Sequence, residues 1–333
     1  MKKKYLILSV FAIVFNACET DFDVNAEWEE TTVVFGLLDA AKNIQFIKIN
    51  KAFLGEADAE LMASFSDSVN YIPAELEVVL YKINFNDTID FRVLKDTLII
   101  KDSLDVDDDP GIFSIENNII YYFDSPENDN FLSSNRTYSL VIKNIKTGNI
   151  VSSTTEIIKG FNFSAGIPSS SSNKLTFYVD GLGYRFPRIE WSDPPNVEIF
   201  QFNLRFHYKE NGLEKELSWN QTALGSNDNI LTLSGEDFFH QFLATKLAPL
   251  DNDDDEREFM NIDIEMTLGN QDLKTYIAVN DPITGIVQER PQFTNINNGI
   301  GLFSSRYTKV YPSMSLSPDS EKYIIDKLGL NFK

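Results

Sequence analysis

An all-β, mainly antiparallel fold, arranged as two immunoglobulin- or fibronectin-like β-sandwich domains with a few short helices, is what this sequence predicts. Three observations carry that expectation. Apolar and polar residues alternate over Phe202–Tyr208 and over Met260–Leu268, the period of strands with one buried and one wet face. Asn211-Gly212 supplies the two positive-φ residues of a tight hairpin turn. Short runs rich in β-branched and aromatic residues, separated by turn residues, recur along most of the chain. With 43% hydrophobic residues and 26 Phe, the chain belongs to the globular class rather than the disordered one. Its 333 residues exceed what one small core serves, so two domains are expected.

The first eighteen residues read differently from the rest. Lys2, Lys3 and Lys4 precede an apolar stretch, Tyr5–Phe15, of eleven residues. That is the length of a secretory signal core and too short to span a bilayer. Asn16 and Ala17 are small enough to precede a cleavage site, and Cys18 follows at once. Cys18 is the chain's only cysteine, so no disulfide can form, and a lone thiol in an exported protein needs a reason. Acylation of Cys18 as a lipoprotein N-terminus supplies one; a plainly secreted protein cleaved nearby is the alternative. Fatty-acyl chains, each methylene worth about 0.8 kcal/mol when buried, would anchor the body without a spanning segment. Residues 1–17 are thus the expected signal peptide and 18–27 an acidic tether. Beyond residue 17 the chain has 50 acidic and 26 basic side chains, a net charge near −24. Such a chain repels nucleic acid and anionic headgroups, so neither is an expected partner.

Residues 28–159 form the expected first sandwich. Thr32–Leu38 and Ile44–Ile49 flank a hairpin loop, and further strands are expected over Glu75–Ile83, Phe91–Ile100, Ile119–Phe123, Thr137–Lys143 and Ile150–Ile158. A short helix is expected over Asp58–Phe65. Residues 160–173, with Gly166, Pro168 and the Ser169–Ser172 run, read as a linker. Residues 174–311 are the expected second sandwich. It carries an inserted helix capped by Ser234 and stopped by Pro249, and a return strand to Val279 after Gly269-Asn-Gln-Asp272. Gly299 and Gly301 read as a bend where a last strand enters the sheet. The tail, 312–333, holds a helix with Ser317 as N-cap, Pro318 at its first position and Gly329 as its stop.

Catalytic signatures are sparse. Of the two histidines, His207 falls on the wet face of its strand and His240 on the inserted helix, and neither neighbours a nucleophile motif. No Cys/His cluster suited to zinc and no phosphate-cradling glycine loop occurs. Asp105, Asp107, Asp109 and Glu116 occupy positions 1, 3, 5 and 12 of an EF-hand-like calcium loop, but Pro110 stands where the sharp bend needs glycine. A structural calcium is the one cofactor that pattern allows; two solvated acidic loops, here and at Asp251–Glu256, are the plain reading. Trp28, Trp191 and Trp219 are candidates for a sugar-stacking platform or for core positions.

Three segments together suggest a relationship: Val33-Val-Phe-Gly-Leu-Leu-Asp39, Ile189-Glu-Trp-Ser-Asp-Pro-Pro195 and Phe293–Ser305. In this arrangement the chain resembles the β-rich Bacteroidota outer-membrane lipoproteins that share a domain of unknown function. The acidic stretch Glu19–Glu27 is similar to their signal for display on the cell surface. The resemblance implies an outer-membrane location and association with TonB-dependent uptake or secretion and gliding-type assemblies. It implies no catalytic residue. The expected role is a non-catalytic binding or accessory subunit, with a glycan-binding module or a carboxylate-dependent glycan hydrolase as alternatives. These differ in structure: a hydrolase needs two carboxylates about 5–10 Å apart in a cleft, a glycan binder needs coplanar exposed aromatics, and a docking subunit needs a contiguous apolar surface.

Overall fold

The first expected hairpin forms: β1 (Glu29–Asp39) and β2 (Ile44–Leu54) run antiparallel in this computed structural model. The buried Gln45 side chain locks its turn, accepting from the Asp39 N–H at 2.8 Å and donating to the carbonyls of Asp39 and Lys42, each at 2.9 Å. The structure describes residues 29–54, 63–98, 118–126, 128–166, 174–192, 194–224, 229–247, 256–281 and 292–333. Over these the fold is all-β and sandwich-type, with several antiparallel sheets and a few short helices. The signal peptide, the tether, Cys18, Trp28 and the calcium candidates Asp105, Asp107, Asp109 and Glu116 lie outside the described residues. So does most of the helix expected over Asp58–Phe65; a single turn, α1 (Ser66–Val69), follows it.

In the first half, β3 (Leu76–Asn84), β4 (Asp87–Val93), β7 (Thr137–Asn144) and β8 (Ile150–Glu156) form a sheet ordered β4-β3-β7-β8. It faces β1 and β2, which are extended by β6 (Ile119–Asp124) and β5 (Lys95–Leu98). Val34, Ile47 and Tyr121 from one sheet meet Leu80, Leu140 and Ile142 from the other, all essentially buried. Each such aliphatic side chain contributes roughly 1.5–3 kcal/mol by leaving water. The single strand expected over Phe91–Ile100 is two strands in different sheets. Phe91 and Val93 point outward, whereas Leu94 is buried and donates its N–H to Val78 at 2.9 Å, so the chain crosses over there.

The second half is organised by the long hairpin β14 (Ile199–Glu210) and β15 (Leu213–Leu224), turned by Asn211 (φ 51°) and Gly212 (φ 80°). Next to β14 lies β17 (Arg257–Gly269), whose Ile262, Ile264, Met266 and Leu268 are wholly buried, as the alternation requires. The covering layer is built from small pieces. β9 (Phe163–Ala165), β13 (Arg188–Trp191) and β16 (Ile230–Thr232) make a three-stranded sheet; β11 (Tyr178–Val179) pairs with β12 (Gly183–Tyr184); and β10 (Lys174–Leu175) joins the main sheet. The inserted helix α2 is capped as expected, with the Ser234 hydroxyl accepting from the Asp237 N–H at 3.2 Å. It is π-wound over Asp237–Leu243 and α-wound over Ala244–Lys246. The wider π turn brings Phe238, Phe239, Phe242 and Leu243 all into the core.

Two elements depart from expectation. Residues read as a return strand to Val279 form α3 (Gln271–Asn280), because Asn270 caps it by accepting from the Leu273 N–H at 3.1 Å. Leu273, Tyr276 and Ile277 then share one helical face. Part of the expected linker is core: Phe161 is buried and β9 pairs with β13. The final strand, β18 (Gly299–Leu316), runs past residue 311 and is followed by α4 (Pro318–Lys327), whose cap Ser317 accepts from the Ser320 N–H at 3.4 Å.

β18 also unites the halves. It pairs antiparallel with β17 and parallel with β1, from Thr32↔Gly299 to Asp39↔Arg306. One sheet, β15-β14-β17-β18-β1-β2-β6-β5, therefore runs through both expected domains. The cores beneath it remain two, dividing between Ile157 and Ile158, but Ile296 and Phe303 from the C-terminal part sit in the first.

Candidate functional site

On the outer face of β1 and β2, away from the core, alternation brings Phe35, Ile44 and Phe46 to the surface, each at least two-fifths exposed. Helix α3 lies beside them, with Tyr276 edge-on to Phe35 at 5.9 Å between ring centroids. Between helix and hairpin runs a groove of about 750 Å³, walled by Phe35, Leu37, Ile44, Phe46, Tyr276 and Ile277. That volume falls in the range of small-molecule sites, about 300–1,000 Å³.

Asn270 fixes the helix above the sheet. Its side chain accepts from Ser304 Oγ at 2.5 Å and donates to Thr155 Oγ1 at 3.2 Å, tying α3 to both halves. Asn295 braces it from below, donating to Asp272 at 2.9 Å and to the Phe303 carbonyl at 2.7 Å.

One end of the groove is polar. The parallel register sets Arg306 beside Asp39, with Nε 3.6 Å from Oδ2. The Asp39 side chain is 3% exposed; its Oδ1 accepts from the Ala41 N–H at 2.9 Å, while Oδ2 and Arg306 Nε have no hydrogen-bond partner. A buried polar atom left so costs on the order of 1–3 kcal/mol. Lys42 stands at the same end, exposed and without an ion pair among the described residues. Further along β2, Lys48 donates to Asn118 Oδ1 and to the Ile119 carbonyl, and burial pushes its ammonium down to about 8.

A second surface lies at β4, the free edge of the facing sheet among the described strands. Phe91 and Val93 are 54% and 57% exposed on its outer face, Ile89 is 51% exposed in the bulge beside them, and Phe85 stands free in the preceding turn. The two edges of the long sheet carry charge: Lys95 and Asp96 on β5, Glu214, Lys215 and Glu216 on β15. Charged edges resist strand addition; β4 offers an apolar stripe beside its open backbone.

The sequence-derived candidates fall elsewhere. His207 lies on the wet face as expected, held between Asp263 (3.1 Å) and Glu216 (3.6 Å) in a surface charge ladder. His240 accepts or donates to Tyr184 Oη at 2.8 Å and Tyr323 Oη at 3.2 Å, pinning α2 to α4 and β12. No serine hydroxyl among the described residues bonds either ring. Trp191 is buried, and Trp219 stacks on Phe242 at 5.6 Å, so both pack structure rather than present a platform. The half-exposed Tyr178, Tyr184 and Tyr323 are mutually inclined by 46–68°, not coplanar.

Glu156, Glu198 and Asp272 line an open polar depression of about 390 Å³, and each is engaged, by Asn196, Lys274 and Asn295 respectively. Among the described residues no group of three or more His, Cys, Asp or Glu forms a metal set. No helix among them is long and apolar enough to cross a membrane. The groove escaped sequence reading because its walls come from strand residues and from a helix read as strand. Its one sequence signal is the i, i+3, i+4 spacing of Leu273, Tyr276 and Ile277. No protein-family model matches the chain, and no curated protein is significantly similar to it.

Proposed function

We propose that this chain is a lipid-anchored outer-membrane accessory protein that works by docking rather than catalysis. Acylated Cys18 would confine it to two dimensions and raise its effective concentration beside an integral partner of the uptake or secretion type. The observation that carries this reading is the apolar free edge of β4. An exposed edge strand that presents Phe91 and Val93 opposite Tyr81 and Val79, with Ile89 in the bulge beside them, is a template for strand addition by a partner. Main-chain hydrogen bonds would supply affinity, and the side chains beside the edge, Tyr81 and Phe91 with ring centroids 6.3 Å apart, would supply selectivity.

Two measurements test it. Cys18→Ser should move the protein from the envelope to the soluble fraction; sedimentation unchanged from wild type would end the anchoring account. Gentle detergent extraction and affinity purification should recover an envelope protein whose yield falls about tenfold in Ile89→Lys/Phe91→Glu, since charge in a strand-pairing interface costs over 1 kcal/mol. Both side chains are exposed, so the melting temperature should move little. Recovery of a lone monomer active on polysaccharides would replace docking with hydrolysis.

A further inference from the structure

We propose that the groove between α3 and the β1–β2 hairpin binds a single-chain anionic amphiphile, a long-chain fatty carboxylate. Its head would sit on Arg306 and Lys42, and its chain would lie along Phe35, Phe46, Tyr276 and Ile277. The groove shares no residue with the β4 edge, and binding in it does not depend on docking there.

Size favours a small occupant. A stable protein interface buries about 800 Å² per partner, whereas this groove has the volume of a small-molecule site. Its shape, a trough between a helix and a sheet, suits a flexible linear chain. Its walls are apolar and half-exposed, so an alkyl chain would remove them from water at no cost in polar groups.

Charge selects the head. The chain as a whole carries −21 and repels anions. At this groove the balance reverses: two cations, Arg306 and Lys42, face one carboxylate, Asp39. Asp39 approaches the Nε side of Arg306, and no hydrogen bond to the terminal guanidinium nitrogens occurs among the described residues. Those two nitrogens form the fork that binds a carboxylate bidentately. The Asp39–Arg306 pair itself is not hydrogen-bonded, so the guanidinium retains its donors for a ligand. The Gln45-locked turn fixes the backbone of Asp39 and Lys42, so both side chains start from the polar end before binding.

The test uses the full chain in envelope membranes and a diazirine-bearing palmitate as probe. Photolabelled peptides should contain Phe35–Phe46 and Leu273–Ile277, and unlabelled palmitate should compete. Arg306→Gln should lower labelling about tenfold or more, the worth of a charge-assisted hydrogen bond. Lys42→Glu, at an exposed site that tolerates change, should lower it in the same direction. Labelling by the matching fatty alcohol should persist in both variants and vanish in Phe46→Asp. Labelling elsewhere, equal labelling of the variants, or preference for a photoactivatable phosphatidylglycerol over the free acid would each overturn the proposal. So would absence of labelling in the wild type, the result if a peptide segment filled the groove. No partner protein enters the readout, so failure here leaves the docking experiment untouched.

Discussion

Gly301→Ala is expected to destabilise the protein by about 4 kcal/mol or more, or to prevent folding. Gly301 has φ +118°, and a Cβ there would lie 2.0 Å from the Val34 carbonyl oxygen and 3.0 Å from the Val34 nitrogen and carbonyl carbon. All three are backbone atoms of β1, so no side-chain rotation relieves the clash. The sequence marks this position as a bend; the structure makes it the point where β18 closes onto β1. Because that pairing carries the sheet from one half into the other, loss of stability should extend to both cores. Denaturant melts of Gly301→Ala beside Gly148→Ala separate the causes. Gly148 shares the positive φ (+78°), but its Cβ would meet nothing within 4 Å, so alanine there should cost only about 1–3 kcal/mol. Equal losses in the two variants would show that backbone conformation, not the close approach of the strands, sets the requirement.

Arg257→Met should cost about 3–5 kcal/mol, the usual result of breaking a buried ion pair by removing one partner. For a chain of this size that lowers the melting transition by on the order of 10 °C. Arg257 is almost wholly buried at the start of β17. Its Nε and Nη2 donate to Glu210 at 2.9 and 2.7 Å, and its Nη1 donates to the Leu330 carbonyl at 3.0 Å. Its backbone pairs with Asn331 and Lys333, so this one residue clasps the C-terminus to the sheet.

The pH dependence follows from Glu210. Hydrogen bonds from Lys215 first and Arg257 second hold its carboxyl below the ordinary value, which is about 4.3. A depressed folded-state value means the stabilisation is complete above that ordinary pH and is lost as pH falls through the lower folded value. The variant's stability should therefore fall less steeply with acid over that window, measured as denaturation midpoints against pH. An unchanged acid limb would remove Arg257 from the account.

How far the sequence reached can be read from particular residues. Asn211-Gly212 fixed a hairpin, because few dipeptides adopt two consecutive positive φ angles. Alternation over Met260–Leu268 identified both the strand and its buried face, since side chains in a strand leave on opposite sides. Ser317-Pro318 and Ser234 marked helix starts through the side-chain caps the structure contains. Leu273–Val279 misled because a short apolar run fits either period, and only the Asn270 cap decides for a helix. The π winding of α2 was equally hidden, as it answers to four aromatic and aliphatic side chains seeking one core.

What the sequence determined by itself is therefore local: which residues extend, which turn, and which side of each strand avoids water. What only the tertiary structure decided is who stands beside whom. The parallel union of β1 with β18 joins residues more than 260 positions apart, and no periodicity encodes a neighbour at that separation. The groove inherits the same dependence, since Asp39 meets Arg306 only in that register and Tyr276 reaches Phe35 only once Asn270 has seated the helix. Burial patterns are properties of a strand, whereas a site is a property of the contacts between strands.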